Sequence, residues 1–254
     1  MIKLKSAAEI EKMRAAGRIA AQARQYAGSL VHPGVSTYEI DRKTGEFIRN
    51  AGAVPTFLNY NGYPGNVCVS VNEEIIHGIG SKKRLLKDGD IVSVDVGATI
   101  QGFVGDCADT FVAGTADEAA LRLIEVTRAS FAAGLAAARP GNRISDISRA
   151  VQKTAESAGY GVVREYIGHG VGQQLHEDPE VPNFVEEKRR GPDPRLIPGM
   201  TIAIEPMINE GTYEIRVLSD GWTVVTKDGS RSAHYENTVL ITNGGAVVLT
   251  AVEQ

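Results

Sequence analysis

The stretch Pro33-Gly34-Val35-Ser36-Thr37-Tyr38-Glu39-Ile40-Asp41-Arg42, running on to Ala51-Gly52, has a counterpart 107 residues downstream. That counterpart is Pro140-Gly141-Asn142-Arg143-Ile144-Ser145-Asp146-Ile147-Ser148-Arg149, running on to Ala158-Gly159. Six of twenty aligned positions are identical: Pro33, Gly34, Ile40, Arg42, Ala51 and Gly52 match Pro140, Gly141, Ile147, Arg149, Ala158 and Gly159. Average residue usage gives about one by chance. Pro-Gly and Ala-Gly also punctuate helix ends in general, so two αα units with shared stop signals would produce some of these matches. A duplicated α+β half is the sharper reading. It predicts one domain over residues 1–254, made of pseudo-symmetric halves at about 1–112 and 113–254, with strands packed together and helices outside. A site is then expected at the seam.

Outward from the repeat, the pattern of helices and strands is the same in each half. A first helix starts at Ser6, with Glu9 completing a capping box and Ile10, Met13, Gly17 and Ala20 on one face. His32-Pro33-Gly34 ends it, and a second helix runs from about Thr37 to a left-handed stop at Gly52. Strands follow over Val67 to Val71, Ile91 to Ile100 and Phe103 to Val112, the last two joined by a Gly-containing turn. The second half restarts with a capping box from Thr115 to Glu118 and a helix presenting Leu121, Ile124, Phe131 and Leu135. Arg139-Pro140-Gly141 ends that helix, and a further one covers about Ile144 to Ser157.

The 254 residues are enough for a sizeable core, and the formal charge of −4 gives no basic excess for a nucleic-acid partner. Cys68 and Cys107 form no C-x-x-C pair, so neither a disulfide framework nor a zinc knuckle is indicated and a reducing cytoplasm is expected. The sequence shows no signal-peptide core and no apolar run of the ~18 residues needed to span a bilayer, so no membrane partner is expected.

Several polar residues sit where burial makes them expensive. Asp95 lies among β-branched residues in Ile91 to Gly97, and Asp106 lies in Phe103-Val104-Gly105-Asp106. A two-residue loop at Ile100-Gln101 would set the two carboxylates opposite each other on one face; a three-residue loop would put them on opposite faces unless a bulge intervened. Two carboxylates so close repel unless a cation lies between them, although a turn cap or an arginine partner would explain either one alone. His169, flanked by glycines in Gly168-His169-Gly170-Val171-Gly172, has an environment that suits a ligand or catalyst. His77 and His176 carry weaker signals, His32 reads as part of a helix stop, and His234 shows nothing beyond a surface residue. Glu205 interrupts the buried-strand sequence Met200 to Ile208, and Pro206 marks the end of regular pairing there. Glu236 stands at the mouth of an apolar strand, as a surface carboxylate also could. Together, Asp95, Asp106, His169, Glu205 and Glu236 are four carboxylates and one imidazole drawn from both halves. Such a set suits Mn, Fe, Co or Zn, with charge enough for two ions.

At these residues the sequence resembles the type I methionine aminopeptidases, over essentially the whole chain. The resemblance is carried by Asn59-Tyr60-Asn61-Gly62-Tyr63-Pro64, Val67 to Glu73, Ile91 to Gly97, Gly105-Asp106, Gly168 to Gly172, Ile204-Glu205-Pro206-Met207 and Tyr235-Glu236-Asn237-Thr238. It implies an α+β, duplicated pita-bread fold: a pseudo-twofold antiparallel sheet with helices on its outer face. It also implies that Asp95, Asp106, His169, Glu205 and Glu236 hold two divalent ions, that His77 and His176 hold the scissile amide and its developing oxyanion, and that Glu205 shuttles a proton. Tyr60, Tyr63, Cys68 and Trp222 match positions lining the methionine pocket. Leu175 stands where family members often have Phe, and Val104 replaces a His common before Gly-Asp. The implied reaction is metal-activated attack of water on the first peptide bond of nascent chains that begin with Met and a small residue, by a monomeric enzyme.

An X-Pro aminopeptidase or prolidase resembles the same fold and ligand set, but usually carries an extra N-terminal domain for which a chain opening directly into the repeat leaves no room. A catalytically dead binding protein of this fold typically loses metal ligands, and all five match here. Glu186-Glu187-Lys188-Arg189-Arg190 reads as a solvated loop, with a ribosome contact as the second reading.

Overall fold

The computed structural model describes residues 1–185 and 192–252, so the charged run from Glu186 to Arg190 lies outside the described residues. In the first half of the chain, helices α1 (Ala7–Ser29) and α2 (Thr37–Asn50) precede strands β1 (Val54–Pro55), β2 (Cys68–Val71), β3 (Glu74–Ile76), β4 (Ile91–Ile100) and β5 (Phe103–Val112). In the second, α3 (Glu118–Ala137) and α4 (Ile144–Ser157) precede β6 (Gly161–Val162), β7 (Gly168–Gly170), β8 (Glu177–Val181), β9 (Thr201–Ile204) and β10 (Met207–Asn209). The chain closes with β11 (Ile215–Val217), β12 (Val224–Thr226), β13 (Ser232–His234), β14 (Glu236–Thr242) and β15 (Gly245–Val248).

The repeated stretches fold alike. Both α2 and α4 are 14 residues long and start 107 residues apart. Gly34 and Gly141 both take left-handed φ values, 90° and 89°, which turn the chain toward the segment leading into the next long strand. There each copy exchanges a matched pair of backbone bonds: Gly34 N–H to Leu86 O and Leu86 N–H to Val35 O, against Gly141 N–H to Leu196 O and Leu196 N–H to Asn142 O.

The main sheet runs β1-β4-β5-β14-β9-β7-β8, with β2 also on β4 and β15 also on β14. Strands β4–β5 are therefore mirrored by β9–β14 across the β5/β14 seam. Helix α1 begins as the Ser6–Glu9 capping box requires and buries Met13, Ala16, Gly17 and Ala20. Its small residues let it lie almost on the backbone of β5, where a Cβ on Gly105 would come within 2.6 Å of Ala16 C. The outcome is an α+β pita-bread fold whose sheet carries helices on one face.

Three local expectations are corrected. The β4–β5 loop is Gln101-Gly102, both at positive φ (53° and 77°), rather than Ile100-Gln101. Gly97 thus faces Asp106, and Asp95 lies diagonal to it on the same face rather than directly opposite. The third helix is capped by Asp117, whose side chain accepts from the Ala120 N–H, so no box forms at Thr115. That helix buries Ala120, Leu123, Ile124 and Phe131, while Leu121 is 51% exposed. The buried stripe keeps Ile124 and Phe131 from the expected face and takes in Ala120 and Leu123 in place of Leu121.

Candidate active site

Strand geometry supplies the carboxylates in matched pairs. The seam strands carry Asp106 (β5) and Glu236 (the first residue of β14), and the strands outside them carry Asp95 (β4) and Glu205 (just past β9). Pro206 has no N–H to continue the ladder, so pairing stops after Ile204 and the chain passes into β10 in a separate sheet. His169 arrives from the other side on β7. Its flanking glycines are required for close approach: a Cβ on Gly168 would sit 2.4 Å from Ala203 O, and one on Gly170 2.2 Å from Asp178 O.

The side chains converge. One ligand atom from each of Asp106, His169 and Glu236 lies within 4.8 Å of the other two. His169 Nε2 is 3.7 Å from Asp106 Oδ2 and 3.5 Å from Glu205 Oε1. His169 Nδ1 lies 2.9 Å from the Gly170 carbonyl, which can only accept, so Nδ1 carries the hydrogen and Nε2 presents a bare lone pair to the carboxylates.

Burial raises every one of these carboxyl groups. Asp95 is pushed up to about 7. Asp106 is raised first by burial and then by Asp95, Glu205 by burial and then by Asp106, and Glu236 by burial and then by Asp106 and Glu205. Burial, reinforced by His176, lowers His169 to about 3, so it is neutral at pH 7. Asp95 Oδ1, Asp106 Oδ1 and Glu236 Oε1 are buried without a hydrogen-bond partner. Buried acceptors facing one another and a bare imidazole lone pair are costly unless a proton or a cation lies among them. The residues present fit a divalent cation centre.

A cavity of about 300 Å³ opens from these groups, and all of the sequence-selected residues line it: Tyr60, Tyr63, Cys68, His77, Asp95, Asp106, His169, His176, Glu205, Trp222 and Glu236, with Leu175. Its far end is apolar and aromatic. Tyr63 packs edge-on to Trp222 with centroids 5.2 Å apart, and its hydroxyl donates to the Gly78 carbonyl at 2.8 Å. Asp41 accepts from the Asn66 and Val67 N–H groups, which ties down the loop bearing Tyr60 and Tyr63. His77 sits at φ 60° where β3 ends, edge-on to Tyr166 at 5.5 Å, and burial lowers it to about 4. His176 lies at the mouth, with Tyr60 Oη 2.7 Å from its Nδ1 and its ring 4.2 Å from that of His169.

Sequence reasoning missed Phe57, Ile76, Tyr166 and Ile167, which also line the cavity and belong to no motif. It also misplaced His234. Far from the surface, His234 is 2% exposed on β13, with Nε2 3.9 Å from Glu205 Oε2, and burial followed by His77 lowers it to about 3. The signal available was its position two residues before Glu236, on the same side of an extended segment.

A carboxylate–imidazole cluster fit for a divalent cation, opening onto an apolar cavity in an α+β sheet, suits a metallopeptidase, and the family comparison places the chain in that class. The model of metallopeptidase family M24 matches residues 11–243, and the chain belongs to that family. Its similarity is to the methionine aminopeptidases in particular. It is 50% identical over 253 residues to the methionine aminopeptidase of Clostridium acetobutylicum, with 100% of both chains covered. It is 48% identical to methionine aminopeptidase 1 of Bacillus subtilis, over 99% of this chain and 100% of the relative. The crystal structure of the Thermotoga maritima methionine aminopeptidase superposes with a TM-score of 0.95 at 45% identity, covering 100% of each chain.

Proposed function

We propose that this protein is a metal-dependent methionyl aminopeptidase that removes the initiator methionine from nascent chains whose second residue is small. The observation that carries the proposal is the junction of the carboxylate–imidazole cluster with a cavity of about 300 Å³ lined by apolar and aromatic side chains. Asp95, Asp106, His169, Glu205 and Glu236 are the residues that would hold two divalent ions; the donor set suits Co, Mn, Fe or Zn. When bound, such ions supply Lewis acidity that activates water and anchors a free α-amine.

The chain's own groups do the rest. Phe57, Tyr63, Cys68, Leu175 and Trp222 accept an unbranched thioether and offer no charge to an acidic or basic side chain. The Tyr60 hydroxyl can donate to His176 Nδ1, which leaves the His176 Nε2 hydrogen free to point at the carbonyl oxygen of the bond being cut. His77, neutral at pH 7, lines the same wall and donates to the same peptide unit. Glu205, at the edge of the cluster, moves a proton from the attacking water to the leaving amine. The proposed form is a single catalytic domain acting as a monomer in the cytoplasm.

Hydrolysis of short peptides tests the proposal. Met-Ala-Ser should be cut, whereas Glu-Ala-Ser and Lys-Ala-Ser should not; faster cleavage of Ala-Pro than of Met-Ala peptides would establish an X-Pro enzyme instead. His77→Ala and His176→Ala should bind metal as the wild type does while kcat falls by roughly 10²-fold, the usual effect of deleting one oxyanion donor. Loss of metal in either variant, measured by elemental analysis, would contradict that division of roles.

A further inference from the structure

Behind the carboxylates, the ladder between β5 and β14 stops after two pairs, Glu236 with Ala108 and Asn237 with Cys107. The next pair in register would set Thr238 against Asp106. There a side chain takes the place of backbone pairing: the Thr238 hydroxyl accepts from the Asp106 N–H at 3.1 Å and donates to the Asp106 carbonyl at 2.9 Å. The backbone of Thr238 bonds instead to the C-terminal segment. Its N–H donates to Thr250 Oγ1 at 3.1 Å, and its carbonyl accepts from the Leu249 N–H at 2.8 Å. The strands therefore splay at the residue whose carboxylate lies at the centre of the cluster.

Two further side chains close this junction. The Thr250 hydroxyl donates to Asn237 Oδ1 at 3.0 Å, and Arg24 Nη1 donates to Asn237 Oδ1 and to the Glu236 carbonyl at 3.1 and 3.0 Å. Thr238 and Thr250 are wholly buried, and Asn237 is 2% exposed. None of these side chains lines the cavity, so neither substrate binding nor the reacting bond accounts for them.

We infer that Thr238 is a positioning residue for the metal centre: its hydroxyl fixes Asp106 relative to Glu236 across the splayed seam, and so sets metal affinity and coordination geometry. The inference rests on the proposal that Asp106 and Glu236 hold metal. A normal antiparallel pair holds its Cα atoms at ~4.5–5.5 Å. A hydroxyl interposed between two strands replaces that constraint with a tether of a single oxygen, bonded to both main-chain groups of the ligand residue. Valine at 238 would keep the shape and lose both bonds, leaving Asp106 to find other partners by moving. Serine would keep both bonds. Groups that orient metal ligands typically change affinity by ~10–100-fold when removed.

The test is anaerobic titration of Co(II) alone into wild type, T238V, T238S and D106N, with the visible absorption of bound Co(II) as a second readout. T238V is expected to raise Kd about tenfold, and to change the Co(II) spectrum, while T238S stays within threefold of wild type with an unchanged spectrum. A rise below threefold in folded T238V, with the wild-type spectrum, overturns the inference whatever happens to the melting temperature, because a purely structural role would move stability alone. If T238V does not fold, T250V decides by the same two readouts: a Kd raised at least threefold with a changed spectrum supports the inference, and any other result overturns it. D106N separates the layers. Co(II) bound to D106N as tightly as to wild type would remove the metal-ligand proposal itself, whereas weak binding there with wild-type behaviour in T238V would remove only the role of Thr238.

Discussion

His169→Ala is expected to lose metal and activity together, with kcat/KM lower by roughly 10³-fold, equivalent to ~4 kcal/mol of transition-state stabilisation. The size follows from what the imidazole does. Its Nε2 lone pair lies 3.7 Å from Asp106 and 3.5 Å from Glu205, and the Gly170 carbonyl holds it in the tautomer that can ligate. Alanine leaves a void beside four carboxyl groups that already repel. The backbone should survive, because the close approaches at this point belong to Gly168 and Gly170 rather than to the histidine side chain. Elemental analysis alongside peptide hydrolysis checks this; full metal occupancy with normal turnover would remove His169 from the site.

Metal should also stabilise the whole fold, and more so as pH rises. Asp95 and Asp106 lie on the first-half strands β4 and β5, while His169, Glu205 and Glu236 come from the second half. An ion held by both sets links segments that the unfolded chain cannot bring together. At a hundredfold excess of free ion over Kd the gain is about 2.7 kcal/mol, or ~5–10 °C in Tm for a chain of this size.

The pH dependence follows from the raised carboxyl groups. A group whose folded pKa exceeds its unfolded value stabilises the metal-free protein fully below the unfolded value and loses that contribution as pH rises through the folded one. For Asp95 the window runs from about 4, the ordinary carboxylate value, to about 7. His77 and His169, lowered by burial to about 4 and about 3, act oppositely: their contribution is present above about 6.5 and fades as pH falls. Metal needs the carboxylates deprotonated and finds His169 already neutral, so uptake releases carboxyl protons and strengthens between pH 5.5 and 8. Thermal melts with and without Mn(II) across that range should show an increment that grows with pH. An increment that shrinks, or is absent with binding confirmed, would contradict a seam-spanning site.

What could be read from the chain was set by local chemistry. The 14-residue helices of the repeat, the Ser6 cap and the two ten-residue strands all follow from caps, glycine stops and apolar periodicity, which act over a few residues. Where the reading slipped, two local signals competed. Thr115 and Asp117 both precede a helical pattern, and only packing of Ala120 and Leu123 selects Asp117; Ile100-Gln101 and Gln101-Gly102 both make short turns, and only the second puts glycine where positive φ is least strained. The cluster itself was legible because buried Asp and Glu are conspicuous in β-branched strands. His234 was not, since its burial depends on β13 pairing with β10, a contact that no short window contains.

The most direct measurement is hydrolysis of Met-Ala-Ser and formyl-Met-Ala-Ser by metal-depleted protein and by protein reconstituted anaerobically with Mn(II), Fe(II) or Co(II), with metal content determined on the same samples. Free-amine peptide should be cut only by the reconstituted protein, in proportion to bound metal, and the formylated peptide should be resistant because its α-amine is blocked. Equal cleavage of the two peptides, or full activity in the metal-depleted protein, would contradict a metal-dependent aminopeptidase.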